Sequence, residues 1–271
     1  MEDVQKTISQ LRGDYIHGSS WYFEKIANLI VGITKGDLKY LVDSIHSIRP
    51  GMASISNIEL VLKTTSIHSD EDLRRIGRLL LDYKNRAKER LISEVRKVKI
   101  RRAISISYSS AVRTFIEGTG LEELVLLESR PGHEYKAAKQ DYGEICNVTV
   151  IPDSAAYAFA NSVEAAVLGF DGLYSNGYLV NKVGSVPLCL SAKEAGIGVY
   201  AIGESFKASK DYVGSMKERE TRGKIPSKIQ TFERVPLSFI DKLITDTGTF
   251  RRPRKETVGL IQAVFIDGFS I

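Results

Sequence analysis

Cysteine is almost missing from this sequence: Cys146 and Cys189 are the only two in 271 residues. Two thiols at that separation exclude a disulfide framework and match no metal-ligand spacing, which is the usage expected in a reducing compartment such as the cytoplasm. Long apolar runs are missing as well. Stretches such as Ile26 to Ile33 fall far short of the roughly 20 residues that cross a bilayer, so no membrane partner is expected. The acidic start at Glu2 and Asp3 does not read as a signal peptide. Nor is there a large excess of one charge, with 38 Lys and Arg against 33 Asp and Glu and a net charge of +5. Basic residues cluster at Arg96, Lys97, Lys99, Arg101 and Arg102, and again at Arg251, Arg252, Arg254 and Lys255. No aromatic stacking pattern accompanies them, so a nucleic acid is not expected as a direct partner. What is there is an ordinary globular composition, 43% apolar and 26% charged, with enough chain for one large domain or two ordinary ones.

Residues 1 to about 95 read as helices. The clearest runs from Asp70 to Val95, where Leu73, Ile76, Leu80, Tyr83, Ala87, Leu91 and Val95 recur every three or four residues along one face. Ser69 and Asp72 have the spacing of a capping box at its start. Further helices are expected over Ser20 to Ile33, over Asp37 to Ile48 and after Ser56, with Arg49-Pro50-Gly51 as a break.

From about Lys99 the pattern changes to short apolar runs, at Ala103 to Ile106, Glu123 to Glu128, Asn147 to Ile151, Ala165 to Phe170 and Gly198 to Ile202. Helical stretches separate them, at Ala111 to Glu117, Glu134 to Glu144, Ser154 to Val163 and Val186 to Ala195. Such alternation implies an α/β fold: an N-terminal helical bundle over residues 1–97, then a Rossmann-like, mainly parallel sheet flanked by helices over 98–271. In sheets of this kind, ligands sit beyond the carboxyl ends of the strands.

Polar residues fall at those ends: Ser105, Ser107, Ser109 and Ser110; Glu128-Ser129-Arg130-Pro131-Gly132; Asp153-Ser154; and Asp171, followed by Ser175-Asn176-Gly177. Guanidinium, hydroxyl and backbone donors are what a phosphate needs, and carboxylates suit a polyol. Any one of these residues also serves as an ordinary helix cap in a βα loop. It is their joint occurrence that points to a ligand.

The segments LLESRPGHE at 126–134, IPDSAA at 151–156, GFDGLYSNGYLVNKVGS at 169–185 and AKEAGIGVYAIGESFK at 192–207 are specific. They resemble the regulatory subunits of eukaryotic initiation factor 2B and their relatives, ribose-1,5-bisphosphate isomerase and methylthioribose-1-phosphate isomerase. FERVPLSFIDKLITDTG at 232–248 continues the resemblance, and HGSSW at 17–21 and IRP at 48–50 extend it weakly to the N-terminal half. By this resemblance Ser129 and Arg130 belong to an anion site, Asp171 stands for the catalytic acid–base aspartate, and Asn181, Lys182 and Lys207 line the pocket. Gly18 and Ser19 stand where the isomerases carry an Arg-Gly loop that grips phosphate, with His17 in the arginine's place.

Ser107 is the departure. The corresponding isomerase strand ends on a cysteine that works with the aspartate, whereas this chain reads Ser105-Ile106-Ser107. A thiol is within tuning range of neutral pH and a serine hydroxyl is a far weaker acid, so proton delivery to a sugar ring oxygen is poorly served. Cys146, His133 and Cys189 are expected to play no chemical part. The expected function is therefore that of a non-catalytic regulatory-subunit-like protein, with a sugar phosphate or nucleotide in a vestigial pocket and no cofactor. The alternative is a phosphorylated-pentose isomerase that uses Asp171 alone or with Ser107. The resemblance further implies a homodimer or higher homo-oligomer, for which the apolar tail Leu260 to Phe265 offers a surface, and the alpha subunit of translation initiation factor 2 as a partner.

Overall fold

In a computed structural model, the structure describes residues 2–14, 17–210, 218–221 and 227–269. Five helices come first: α1 (Glu2–Gly13), α2 (Ser19–Gly32), α3 (Lys35–Ile45), α4 (Ala53–Thr64) and α5 (Asp70–Val95). The bounds of α5 are those read from its periodicity, and both halves of its capping box form: Ser69 Oγ accepts from the Asp72 N–H at 3.1 Å, and Asp72 accepts from the Ser69 N–H at 2.8 Å. A second capping box, Thr34 with Asp37, starts α3 two residues before the expected position. Gly77 lies inside α5 because α2 passes too close for a side chain, and a Cβ there would meet Val31 Cγ2 at 2.6 Å and the Ala27 carbonyl at 2.9 Å.

The buried face of α5 serves two interiors. Leu73, Ile76, Leu80, Tyr83 and Ala87 join the core of the helical bundle, and Leu91 and Val95 join the core on one face of the sheet. This helix is the strut between the two halves.

The sheet is built from β1 (Arg102–Ser105), β2 (Glu123–Leu127), β3 (Asn147–Ile151) and β4 (Ala165–Gly169), with α6 (Ser110–Thr119), α7 (Tyr135–Gly143) and the short α8 (Ala156–Ala160) between them. Next come β5 (Gly172–Tyr174), β6 (Tyr178–Lys182), α9 (Ser185–Glu194), β7 (Gly198–Ile202) and β8 (Ala208–Ser209). The chain ends with β9 (Glu218–Thr221), β10 (Ser227–Gln230), β11 (Phe232–Pro236), β12 (Lys242–Thr245), β13 (Gly248–Arg251) and α10 (Lys255–Asp267). The large sheet has the order β13-β12-β7-β4-β1-β2-β3, parallel except for the β12–β13 pair. Alternate residues of its central strands enter opposite cores: Ile104, Val125 and Leu168 on one face, Ala103, Leu124 and Val167 on the other. Burial on both faces explains why these strands read as continuous apolar runs.

From β1 the strand order grows one way through β2 and β3, and from β4 the other way through β7 and β12. The crossovers therefore diverge between β1 and β4, the place where such a sheet opens a crevice. A second sheet, β11-β6-β5-β8, lies beyond the carboxyl end of β4 and was not foreseen, nor were β12, β13 and helix α10 as such. The apolar tail divides: Ile261 and Phe265 are buried within the chain, and Leu260 (65%) and Val264 (47%) face outward. Phe265 and Phe269, with Phe206, complete the core of the N-terminal helices.

Candidate functional site

Two residues beyond the strands that flank the divergence, β1 and β4, stand Ser107 and Asp171. Beyond β1, Ser107 adopts a positive φ of 72°, and beyond β2, Ser129 does the same at 60°. For residues with a Cβ this backbone costs about 1–2 kcal/mol each, so the surrounding contacts must impose it. They are visible. The Ser107 N–H donates to Ser129 Oγ at 2.7 Å, and the fully buried Ser129 is held in turn by Asp153, which accepts from the Ser129 N–H at 2.8 Å and the Arg130 N–H at 2.7 Å. The loops after β1, β2 and β3, three neighbours in the sheet, are thereby fastened into one wall. Ser109 is fixed by Tyr142 of α7, whose hydroxyl accepts from its N–H at 2.8 Å and donates to its carbonyl at 3.0 Å.

The opposite wall comes from β4 and the N-terminal helices. Asp171 accepts from the Ser19 N–H at 3.0 Å, and Ser19 Oγ donates to the Asp171 carbonyl at 3.3 Å, so the start of α2 sits over this strand end. Gly18 packs alongside, where a Cβ would stand 3.6 Å from Asp171 Oδ1. The residue keeps some exposure, yet its carboxylate is enclosed by protein. Burial holds that carboxyl above its ordinary pKa, while Lys207, the Ser19 N–H, Arg49 and Lys182 pull it back down.

Those cations lie around Asp171. Lys207 follows β7 and Lys182 ends β6; they are 2% and 6% exposed, and each is matched by a carboxylate that the sequence did not single out. Lys207 Nζ lies 2.8 Å from Glu204, and Lys182 is in contact with Glu134. Ser20 Oγ donates at 3.5 Å to Glu204 and accepts from Ser110 at 3.4 Å, which ties the start of α2 to the segments that follow β7 and β1. Asn181 donates to Ser185 Oγ at 2.9 Å and is 5% exposed.

The remaining expected residues lie apart. Arg130 is half exposed and turned onto its own loop, with Glu128 at 3.0 Å and His133 at 3.1 Å. Ser154 is exposed in a single 3-10 turn after β3. Asn176 occupies the tip of the β5–β6 hairpin and donates to the Tyr178 hydroxyl at 3.0 Å, separated from Asp171 by the length of both strands. His17 is exposed, stacked on Trp21 and paired with Asp14 at 2.8 Å. The N-terminal cation that acts on Asp171 is Arg49 instead, held by the Tyr22 hydroxyl at 3.0 Å. Cys146 lies at the opposite edge of the sheet, before β3, its thiol pushed up to about 11 by burial; Cys189 is buried in α9 and pushed up to about 12. Among the described residues no cluster of His, Cys, Asp and Glu is arranged to hold a metal.

Compared with known proteins, residues 21–252 match the sequence pattern of the initiation factor 2 subunit family. This chain belongs to that family. Its relatives carry two kinds of name. A ribose 1,5-bisphosphate isomerase of Archaeoglobus fulgidus is 26% identical over 92% of this chain and 90% of its own length. A putative translation initiation factor eIF-2B subunit 2-like protein of Pyrococcus furiosus is 26% identical over 93% and 98%. Among solved structures, the translation initiation factor eIF-2B of Pyrococcus horikoshii superposes with a TM-score of 0.85 at 23% identity, covering 93% of this chain and 98% of that one. A 5-methylthioribose 1-phosphate isomerase of the same organism superposes at 0.76 with 18% identity, covering 96% and 88%. At those identities the structural likeness concerns the fold.

Proposed function

We propose that this chain binds a sugar phosphate or a nucleotide in the crevice between β1 and β4 and acts through protein partners, without turning the ligand over. The observation that carries this reading is the alcohol at position 107, beyond a strand end whose neighbourhood otherwise keeps Asp171 with Lys182 and Lys207 acting on it. No thiol substitutes for it, since Cys146 lies before β3 at the opposite edge of the sheet and Cys189 is buried within α9. The relative named as an initiation factor subunit-like protein supports translation initiation as the setting; the partners proposed for that setting are the alpha subunit of initiation factor 2 and a second copy of this chain.

A second reading, a phosphorylated-pentose isomerase, has equal support among the relatives' names. One observation favours it: a carboxyl kept above its ordinary pKa by burial is suited to hold and deliver a proton. A turnover assay with ribose 1,5-bisphosphate and methylthioribose 1-phosphate separates the two. No conversion is expected; conversion that disappears in Asp171→Asn establishes the second reading and removes the first.

A further inference from the structure

One lysine of the crevice already carries an anion from the protein itself. The ammonium of Lys182, at the end of β6, touches the carboxylate of Glu134. Glu134 is the residue just before α7, a place from which a carboxylate ordinarily supports its own helix start. Its side chain makes no such bond and reaches to Lys182 instead. Gly132 leaves the space for this: a Cβ there would lie 1.8 Å from Glu134 Oε2 and 2.8 Å from Lys182 Nζ.

Lys207 is matched differently. Its partner Glu204 lies three residues earlier on the same turn, and both are buried, so the fold itself fixes that pair. Glu134 is carried by the loop of residues 128–134, whose anchor to Asp153 lies at the loop's start, and it keeps 18% side-chain exposure. Of the two carboxylates, Glu134 is the one that can leave. A phosphate approaching Lys182 meets it as a like charge at contact range, in a site poorly screened by water.

We infer that Glu134 is an affinity-determining residue, an internal stand-in that a ligand's phosphate displaces from Lys182. The inference rests on the reading that the crevice takes a sugar phosphate.

Calorimetric titration of the full chain with ribose 5-phosphate tests this. Glu134→Gln is expected to bind roughly tenfold tighter or more than the unaltered chain, and Lys182→Met to lose binding by a similar factor. Equal or weaker binding by Glu134→Gln overturns the inference; if the unaltered chain binds and Lys182→Met does not, the reading of the crevice still stands. No binding by any of the three chains overturns both. Should Glu134→Gln fold poorly, the same titration on Glu134→Ala decides: tighter binding than the unaltered chain supports displacement, and equal or weaker binding refutes it.

Discussion

Glu204 and Lys207 are 5% and 2% exposed and meet at 2.8 Å, and among the described residues Glu204 has otherwise only the distant hydroxyl of Ser20, 3.5 Å from each oxygen. Lys207→Met keeps most of the buried stem and removes the charge. The carboxylate is then left without its counter-ion in a place water cannot reach, and removing one partner of such a pair costs about 3–5 kcal/mol. For a chain of this size that is a fall of about 6–20 °C in Tm. The double change Glu204→Gln with Lys207→Met removes both charges and should recover most of the loss, because the cost lies in the orphaned ion and not in the pair as such. Equilibrium unfolding in urea on the three variants measures it. A single-variant loss under about 1 kcal/mol, or a double variant no more stable than Lys207→Met, would refute the view that these two charges neutralise one another in a dry interior.

Asp171 gives a prediction with a definite sign. Its folded-state pKa is raised, so its contribution to stability is complete below the ordinary carboxylate value and is lost as pH rises through the folded value. At neutral pH the buried charge is a burden, and Asp171→Asn should be at least as stable as the unaltered chain, with the advantage fading as pH falls toward the ordinary carboxylate value; thermal melts at about pH 4 to 8 check this. In α10, Phe265 is fully buried, with Tyr83 at 5.0 Å and Phe23 at 6.2 Å between ring centroids, so Phe265→Ala should cost about 3–5 kcal/mol in urea unfolding. Leu260, 65% exposed on the outer side of that helix, should cost under about 0.5 kcal/mol when changed to Ala.

What the sequence disclosed was set by local periodicity. α5 shows itself because its apolar stripe and its cap lie side by side in the sequence, and β1, β2, β4 and β7 because burial on both faces leaves them almost uniformly apolar. The second sheet stayed hidden. β5 has three residues and β8 two, too few for any alternation to register, and their pairing joins segments some 35 positions apart. The same limit applies at the site. Ser107, Ser129, Asp153 and Asp171 could be placed at strand ends from their positions alone. Glu134 and Arg49 could not, because what each does depends on a residue brought to it by the fold. Glu204 did leave a trace: a glutamate three residues before a lysine, directly after an apolar strand, is a spacing that joins charges across one turn. Asn176 misled for the opposite reason, since the hairpin that carries Asn181 and Lys182 inward carries its own tip away.

The aromatic contribution of α10 and Phe206 to the helical core bears on how the protein comes off the ribosome. The first five helices emerge early, but Phe23 and Tyr83 find these aromatic partners only when Phe206 and Phe265 have been made. Until then a nascent chain offers an apolar cleft to any chaperone within reach, and a chain stopped before Lys255 would keep that cleft open.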